Sequence, residues 1–398
     1  MDKTVMAVKD RDCVGCKACG MLCPVGAITY ERNREGFEYP IIDANKCIQC
    51  GKCLAGCMAD KKPDKGNSGR GRKLYAARNK DKVILKSSSS GGIFSALAND
   101  IIFEGGCVYG VCFDKEFRVV YKRGTSIEDI ESMRGSKYVE AYVSMDILEG
   151  FVEDVKGKRN ILFSGTPCQI LGMKKMCRQM GLSTENVTWV DFFVCSGKVS
   201  SYLWEEEKQG YLKKGQLEQV SFRSKRKGWK NYEMHWKAGG KSYDYDSLTY
   251  RWNKFFGNSV ARRKTCKACE YQGRGGADIS LGDFWYSAPL PKEWRDNQGI
   301  SVVGVNTDSG RKYFERIQGQ LEVREVTDLI KEHYKYSDYD EEEEDTKRKT
   351  FWDIYEKRGY DALCEQYAKI TWKERILYGM IRPVLIKTGL LDVMRKKK

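Results

Sequence analysis

Histidine is nearly missing: two residues in 398, His235 and His333. Neither sits in a recognisable motif, so imidazole-driven nucleophilic catalysis has little to work with. Proline is sparse at seven residues. No run approaches the ~18 apolar residues of a membrane span. Residues 1–13 lack an apolar signal core, so a secreted protein is not expected and a cytoplasmic one is. There is no Walker A loop and no G-x-G-x-x-G. Sixteen cysteines in 398 residues fall well below the roughly 8–10% of a disulfide scaffold.

The cysteines that are present are unevenly placed. Cys13, Cys16, Cys19 and Cys23, with Pro24 behind them, are matched by Cys47, Cys50, Cys53 and Cys57 at the same spacing. This is the C-x-x-C-x-x-C-x-x-x-C run of bacterial 4Fe-4S ferredoxins, whose fourth cysteine ligates the other cluster. Cys13, Cys16, Cys19 and Cys57 are therefore assigned to one cluster. Cys47, Cys50, Cys53 and Cys23 are assigned to the second. Zinc is the alternative for a C-x-x-C pair, but two complete four-cysteine runs favour iron–sulfur. Cys57 is followed by Met58 rather than Pro, a change that removes no ligand.

The formal charge of +15 invites a nucleic-acid reading. Three 4Fe-4S sites would remove about six positive charges, since ligating thiols are deprotonated. The basic residues are also dispersed, and no RNA- or DNA-binding motif appears. No nucleic-acid partner is expected.

Further signals lie along the chain. Ser89, Ser90, Gly91 and Gly92 precede an apolar helical pattern, where serines can cap and free N–H groups attract anions. An ordinary capped helix explains them equally well. Gly135, Ser136, Lys137 and Tyr138 form a turn with one cation. A short apolar run ends in Ser164-Gly165-Thr166-Pro167-Cys168-Gln169, and Pro167 suits a first helical turn. A second run ends at Cys195. Both cysteines thus follow strand ends, the edge where open α/β sheets bind ligands. Cys266 and Cys269 add a C-x-x-C pair. Spacing leaves a third cluster, a nucleophilic Cys168, a redox disulfide and half a zinc site all open. Cys107, Cys112, Cys177 and Cys364 read as core packing. Lys137, Arg223 and Lys225 are candidate cations for phosphate or an anionic substrate, and Asp283 orients a site group or caps a turn.

The motifs in order are specific. Ser89-Ser90-Gly91-Gly92, Val108-Tyr109-Gly110, Gly135-Ser136-Lys137-Tyr138, Phe163 to Gln169, Phe222-Arg223, Gly228-Trp229, Cys266-x-x-Cys269 and Asp278 to Trp285 follow one another. That string resembles the coenzyme F420 hydrogenase/dehydrogenase beta-subunit family, carrying an N-terminal two-cluster 4Fe-4S ferredoxin domain. The resemblance implies FAD, with the Ser/Gly loop, Gly135 to Tyr138, Ser164, Gly165, Thr166 and Gln169 at its site. It also implies a third 4Fe-4S cluster on Cys168, Cys195, Cys266 and Cys269. Where the family pattern has His-Gly after the cysteine matching Cys195, this chain has Ser196-Gly197.

The expected fold class is an α+β ferredoxin-like N-terminal domain fused to an α/β flavin-binding domain with a helical C-terminal region. Residues 1–62 are the dicluster domain, 63–82 a basic Gly-rich linker, 83–335 the flavin and Fe-S domain, 336–349 an acidic loop and 350–398 a helical tail. The expected function is an FAD- and 4Fe-4S-dependent oxidoreductase. It passes electrons to or from an organic substrate or a deazaflavin-type cofactor. The alternative is a relay subunit without its own substrate. Expected partners are a redox protein such as ferredoxin or another electron-transfer subunit, and a small-molecule substrate. A homo-oligomer is left open. From Trp372 the sequence is basic and amphipathic, but Pro383 interrupts it. A helix packed on the core is expected there, with peripheral contact to an anionic membrane as the alternative.

Overall fold

A computed structural model describes residues 3–59, 72–193, 195, 197–267, 269–271, 276–285, 287, 289–329 and 341–388. The N-terminal segment has two one-turn helices, α1 (Ala18–Met21) and α2 (Lys52–Ala55), around a hairpin of β1 (Ile28–Arg32) and β2 (Glu38–Ile42).

The main body is an eight-stranded mixed sheet. Its strands are β3 (Lys73–Asn79), β4 (Cys107–Phe113), β5 (Val119–Gly124), β6 (Ile161–Ser164), β7 (Val187–Phe192), β11 (Ile279–Asp283), β12 (Ser301–Val305) and β13 (Leu321–Glu325). They are ordered β13-β3-β12-β11-β7-β6-β4-β5. The central four, β11-β7-β6-β4, are parallel and the flanking pairs antiparallel. Parallel strands are covered on both faces, and strand parity decides which side chain meets which layer. Val108, Leu162, Val190 and Ile279 pack with helices α4 (Ile93–Phe103) and α10 (Asp308–Ile317). Tyr109, Phe163 and Trp189 face α6 (Met145–Lys156) and α7 (Pro167–Gln179). Ala18 and Leu22 join this second layer, so the N-terminal segment shares the core of the main body.

A second sheet, β10-β9-β8, is formed by β8 (Leu217–Ser224), β9 (Glu233–Ala238) and β10 (Lys241–Asp246). It packs with α8 (Ser201–Leu212), α9 (Arg251–Gly257) and α11 (Glu341–Tyr367) in a tryptophan-rich core.

Three expected boundaries change. Residues 73–79 are not linker: β3 lies between β12 and β13, with Ala76 and Ala77 fully buried. Ladder bonds on both sides hold this strand, a tertiary contribution its Arg- and Lys-flanked sequence does not display. The acidic stretch is helical from Glu341. Glu is a good helix former, Glu343 pairs with Lys347 one turn on, and Asp345 reaches Lys264. The C-terminal region is not a separate tail, because Phe351, Trp352 and Leu363 are fully buried in the second core.

Asp191 on β7 is buried, and Ser280 Oγ donates to it at 2.5 Å. Burial pushes its carboxyl up to about 7. A carboxyl raised on folding binds its proton in the native state, so stability falls as pH climbs from the ordinary carboxylate range through 7. Asp191→Asn should therefore melt above the parent at about pH 8, by roughly 2–4 °C per kcal/mol relieved, with the difference shrinking towards about pH 4. Thermal melts at the two pH values check this.

Candidate functional site

The eight N-terminal cysteines surround two separate cavities. Cys13, Cys16, Cys19 and Cys57 line one, with Lys17 and Tyr30. Cys23, Cys47, Cys50 and Cys53 line the other. The fourth cysteine of each run thus meets the three of the opposite run. The sequence repeat is also a backbone repeat. Gly15 and Lys17 are left-handed, at φ 67° and 62°, and Gln49 and Gly51 match them at 51° and 75°. Such alternation turns successive N–H groups inward and makes an anion-binding concavity. Ala27 N–H donates to Cys23 Sγ at 3.2 Å, and Val5 N–H to Cys53 Sγ at 3.4 Å. Tyr30 Oη lies 3.3 Å from Cys19 Sγ. Burial pushes the Cys16 thiol up to about 12, and neighbouring Cys57 and Cys13 add to it. Thiols crowded this way become thiolates when a cationic core compensates them. Among the described residues, no three His, Cys, Asp or Glu side chains gather tightly enough for a single metal ion.

A third set lies next to the first. Cys168 is the second residue of α7, with its Sγ 3.2 Å from Thr166 Oγ1. Cys195 follows β7, and Cys266 closes a 3-10 turn (Lys264–Cys266). A side chain at Gly197 would come within 3.2 Å of Cys266 Cβ, so the two segments touch. Cys168, Cys269 and Cys16 share one apolar cluster with Val14, Met58 and Tyr271. Burial pushes Cys195 up to about 12, with the charges of Cys266 and Cys168 behind it. At Gly172 a Cβ would lie 2.9 Å from Cys16 Sγ. Cys168 is four residues earlier on α7, about 6 Å along the axis. The first and third cysteine sets are therefore about one helical turn apart.

Beyond Cys195 opens a cavity of about 890 Å³ at the carboxyl edge of the parallel strands. This is in the upper range of cofactor and substrate sites, roughly 300–1,000 Å³. Of the residues expected at a cofactor site, Ser89, Ser90, Gly92, Gly135, Ser136, Lys137, Tyr138, Ser164, Gly165, Thr166 and Gln169 line it. Gly91 does not; a Cβ there would lie 2.4 Å from Ala77 O, so its role is packing against β3. The two loops meet where Ser136 N–H donates to Ser89 Oγ at 2.7 Å. The N-termini of α4 and α7 both open on this space. Gln169 Oε1 accepts from Thr166 and from Tyr121 Oη, which fixes the start of α7.

The candidate cations are already engaged. Lys137 Nζ donates to the carbonyls of Ser132, Met133 and Arg134 at the end of α5 (Ile127–Met133). Lys225 Nζ is held by the carbonyls of Leu85, Ser90 and Gln298, so it braces the Ser/Gly loop from behind. Arg223 is bidentate on Asp283, which also accepts from Trp229 Nε1. Its guanidinium lies 4.6 Å from the Tyr232 ring and 5.2 Å from Trp285. The Phe222-Arg223, Gly228-Trp229 and Asp278 to Trp285 motifs were the sequence signal for this aromatic end of the cavity, and Tyr232 carried none. Ser196 lies outside the described residues.

Lys198 carried no sequence signal. It lines the cavity, is buried, and donates to Val14 O at 2.5 Å between the first-set cysteines. Burial pulls its ammonium down, but the charges of Cys168, Glu140 and Cys266 more than offset this. Arg263 was equally silent in the sequence. It is fully buried, bidentate on Glu140, donates to Glu38 O at 2.9 Å and stands over Tyr39. It clamps the N-terminal segment to the main body.

Two models of one family, coenzyme F420 hydrogenase/dehydrogenase, beta subunit, cover most of the main body. Residues 74–149 match its amino-terminal part, and residues 158–329 match its carboxy-terminal part. The chain belongs to the coenzyme F420 hydrogenase/dehydrogenase beta-subunit family. Residues 12–61 of this family member match the 4Fe-4S dicluster domain, so it is an iron–sulfur protein of oxidoreductase type. It is 23% identical over 327 residues to one of the subunits of the F(420)H(2) dehydrogenase of Methanosarcina mazei, covering 79% of this chain and 84% of that one. It is 28% identical over 186 residues to an uncharacterized protein of Methanocaldococcus jannaschii, covering 40% of this chain and 51% of that protein. A solved chain from the F420-reducing NiFe hydrogenase complex of Methanosarcina barkeri aligns at TM-score 0.44 and 18% identity, over 74% of this chain and 88% of that one.

Proposed function

We propose that this chain is an iron–sulfur flavoprotein oxidoreductase that moves electrons between a protein donor and an organic acceptor bound in its cavity. Cys23, Cys47, Cys50 and Cys53 would hold the outermost 4Fe-4S cluster, and Cys13, Cys16, Cys19 and Cys57 the next. Cys168, Cys195, Cys266 and Cys269 would hold the innermost. FAD would bind in the 890 Å³ cavity, against Ser89, Ser90, Gly92 and Gly135 to Tyr138. Bound there, FAD supplies the conversion between single electrons and a hydride pair.

The observation that carries the reading is order. Exposed Cys50 marks the outer set, the first set packs on α7, the third begins α7, and the cavity opens beyond it. The chain's own residues support each stage. Amides face sulfur, and α4 and α7 direct N–H groups into the cavity. Buried Lys17, Lys198 and Arg263 outnumber Glu38 and Glu140 around the inner sets, which favours anionic clusters there. Trp285, stacked on Trp229, and Tyr232 line the cavity and would form an aromatic wall beside an acceptor ring.

Reduced ferredoxin given to the anaerobic holoprotein should reduce bound flavin, and then a deazaflavin or related planar acceptor. A holoprotein whose flavin stays oxidised under reduced ferredoxin would refute the reading. The Methanosarcina mazei relative is one subunit of a dehydrogenase, which supports a second reading as a relay subunit. In that case flavin is reduced but no small acceptor turns over until a partner protein is added.

A further inference from the structure

The C-terminal helices do not bury their apolar side. After α11 come α12 (Trp372–Ile376), a π turn (Leu377–Ile381) and α13 (Arg382–Lys387). Trp372, Ile376, Met380 and Val384 recur every four residues and are exposed, at 67%, 42%, 69% and 59%. Leu377 and Ile381 widen the stripe. The opposite side holds the segment to the body: Glu374 pairs with Lys254, and Arg382 donates to Lys230 O at 2.7 Å. The stripe therefore points away from the protein, contrary to the expected helix packed on the core. Pro383 does not break it, because it sits within the first turn of α13, where its missing N–H is tolerated.

We propose that this stripe is a surface that lies on an anionic lipid bilayer. Charge selects that occupant. Residues 369–398 hold nine Lys and Arg against two acids, Glu374 and Asp392, in a chain of net charge +15. Glu374 is turned inward onto Lys254, while Lys373 and Arg375 are exposed beside the stripe. An apolar face, a tryptophan at its start and a cationic flank are the features of helices that lie in the bilayer interface. Basic residues beside such a helix add attraction to anionic headgroups. Protein interface cores, by contrast, are depleted in lysine. The segment is about 24 Å long and no helix among the described residues can cross a membrane, so the contact is in plane.

Flotation of the full-length holoprotein with vesicles tests this. It should float with phosphatidylcholine–phosphatidylglycerol vesicles, much less with phosphatidylcholine alone, and less as salt rises. Met380→Glu with Val384→Glu should lower the floated fraction about tenfold, since it places charge in the apolar face. Both residues are exposed, so cofactor content and melting temperature should match the parent. A holoprotein that stays at the bottom with anionic vesicles at low salt overturns the proposal. So does a double variant that floats as well as the parent. A solution dimer that Met380→Glu with Val384→Glu converts to monomer, without flotation of the parent, also overturns it and makes the stripe a protein interface.

Discussion

Cys168→Ser should lower the iron count of the anaerobic holoprotein from about twelve to about eight per chain while leaving flavin bound. Cys168 starts α7, and Cys16 packs on the same helix one turn later. The third cysteine set neighbours Cys16 on one side and reaches the cavity through Cys195 on the other, so its loss should abolish flavin reduction by ferredoxin. Direct reduction of the flavin by a small reagent should survive. The dicluster signals should persist in electron paramagnetic resonance, because all eight N-terminal cysteines are unchanged. Unchanged iron in Cys168→Ser would return Cys168 to its other reading, a nucleophile.

Arg263→Met should separate the N-terminal segment from the body without emptying the cavity. Arg263 is fully buried and bidentate on Glu140, with Nη2 at 2.6 Å. It also reaches Glu38 O and lies beside Gly15, whose Cβ would sit 2.8 Å from Arg263 Nη2. Methionine restores volume but leaves the Glu140 carboxylate unpaired, at a cost of about 3–5 kcal/mol. Lys198 and Lys17 are near enough to absorb part of that charge, which places the expected loss toward the lower figure. The expected result is early release of the N-terminal segment by protease, a lowered melting temperature and slow ferredoxin-driven flavin reduction, with flavin content retained. The double variant Arg263→Met with Glu140→Gln should recover much of the stability, since it removes the stranded charge. Failure of that rescue would mean that Arg263 acts through packing on Phe37 and Tyr39 instead.

Much of the site was legible because its chemistry is written in local spacing. Eight cysteines in two runs dictate two four-cysteine sets with crossed fourth members, and the two cavities divide them in that way. Gly165 and Cys195 follow the ends of β6 and β7, whereas Ser89 and Gly135 follow short helices, and all four share a cavity although more than a hundred residues separate the first from the last. What was not legible depends on partners distant in sequence. Residues 73–79 read as linker, and become a strand because β12 and β13 complete their backbone bonds. Lys137 and Lys225 read as free cations, and are consumed by carbonyls of neighbouring turns. Arg263 sits in a basic stretch like many others and Lys198 is a lone cation between Gly197 and Val199; only burial against the N-terminal segment distinguishes them. The outward stripe of the last helices was masked by Pro383, which reads as a breaker and serves as a helix start.

The account rests on thiolates that hold iron–sulfur clusters in line with a flavin. Iron, acid-labile sulfide and flavin counts on the anaerobically purified chain test this most directly. It predicts about twelve iron and twelve sulfide with one FAD per chain. A colourless protein that holds zinc or no metal, and releases no flavin on denaturation, would contradict it.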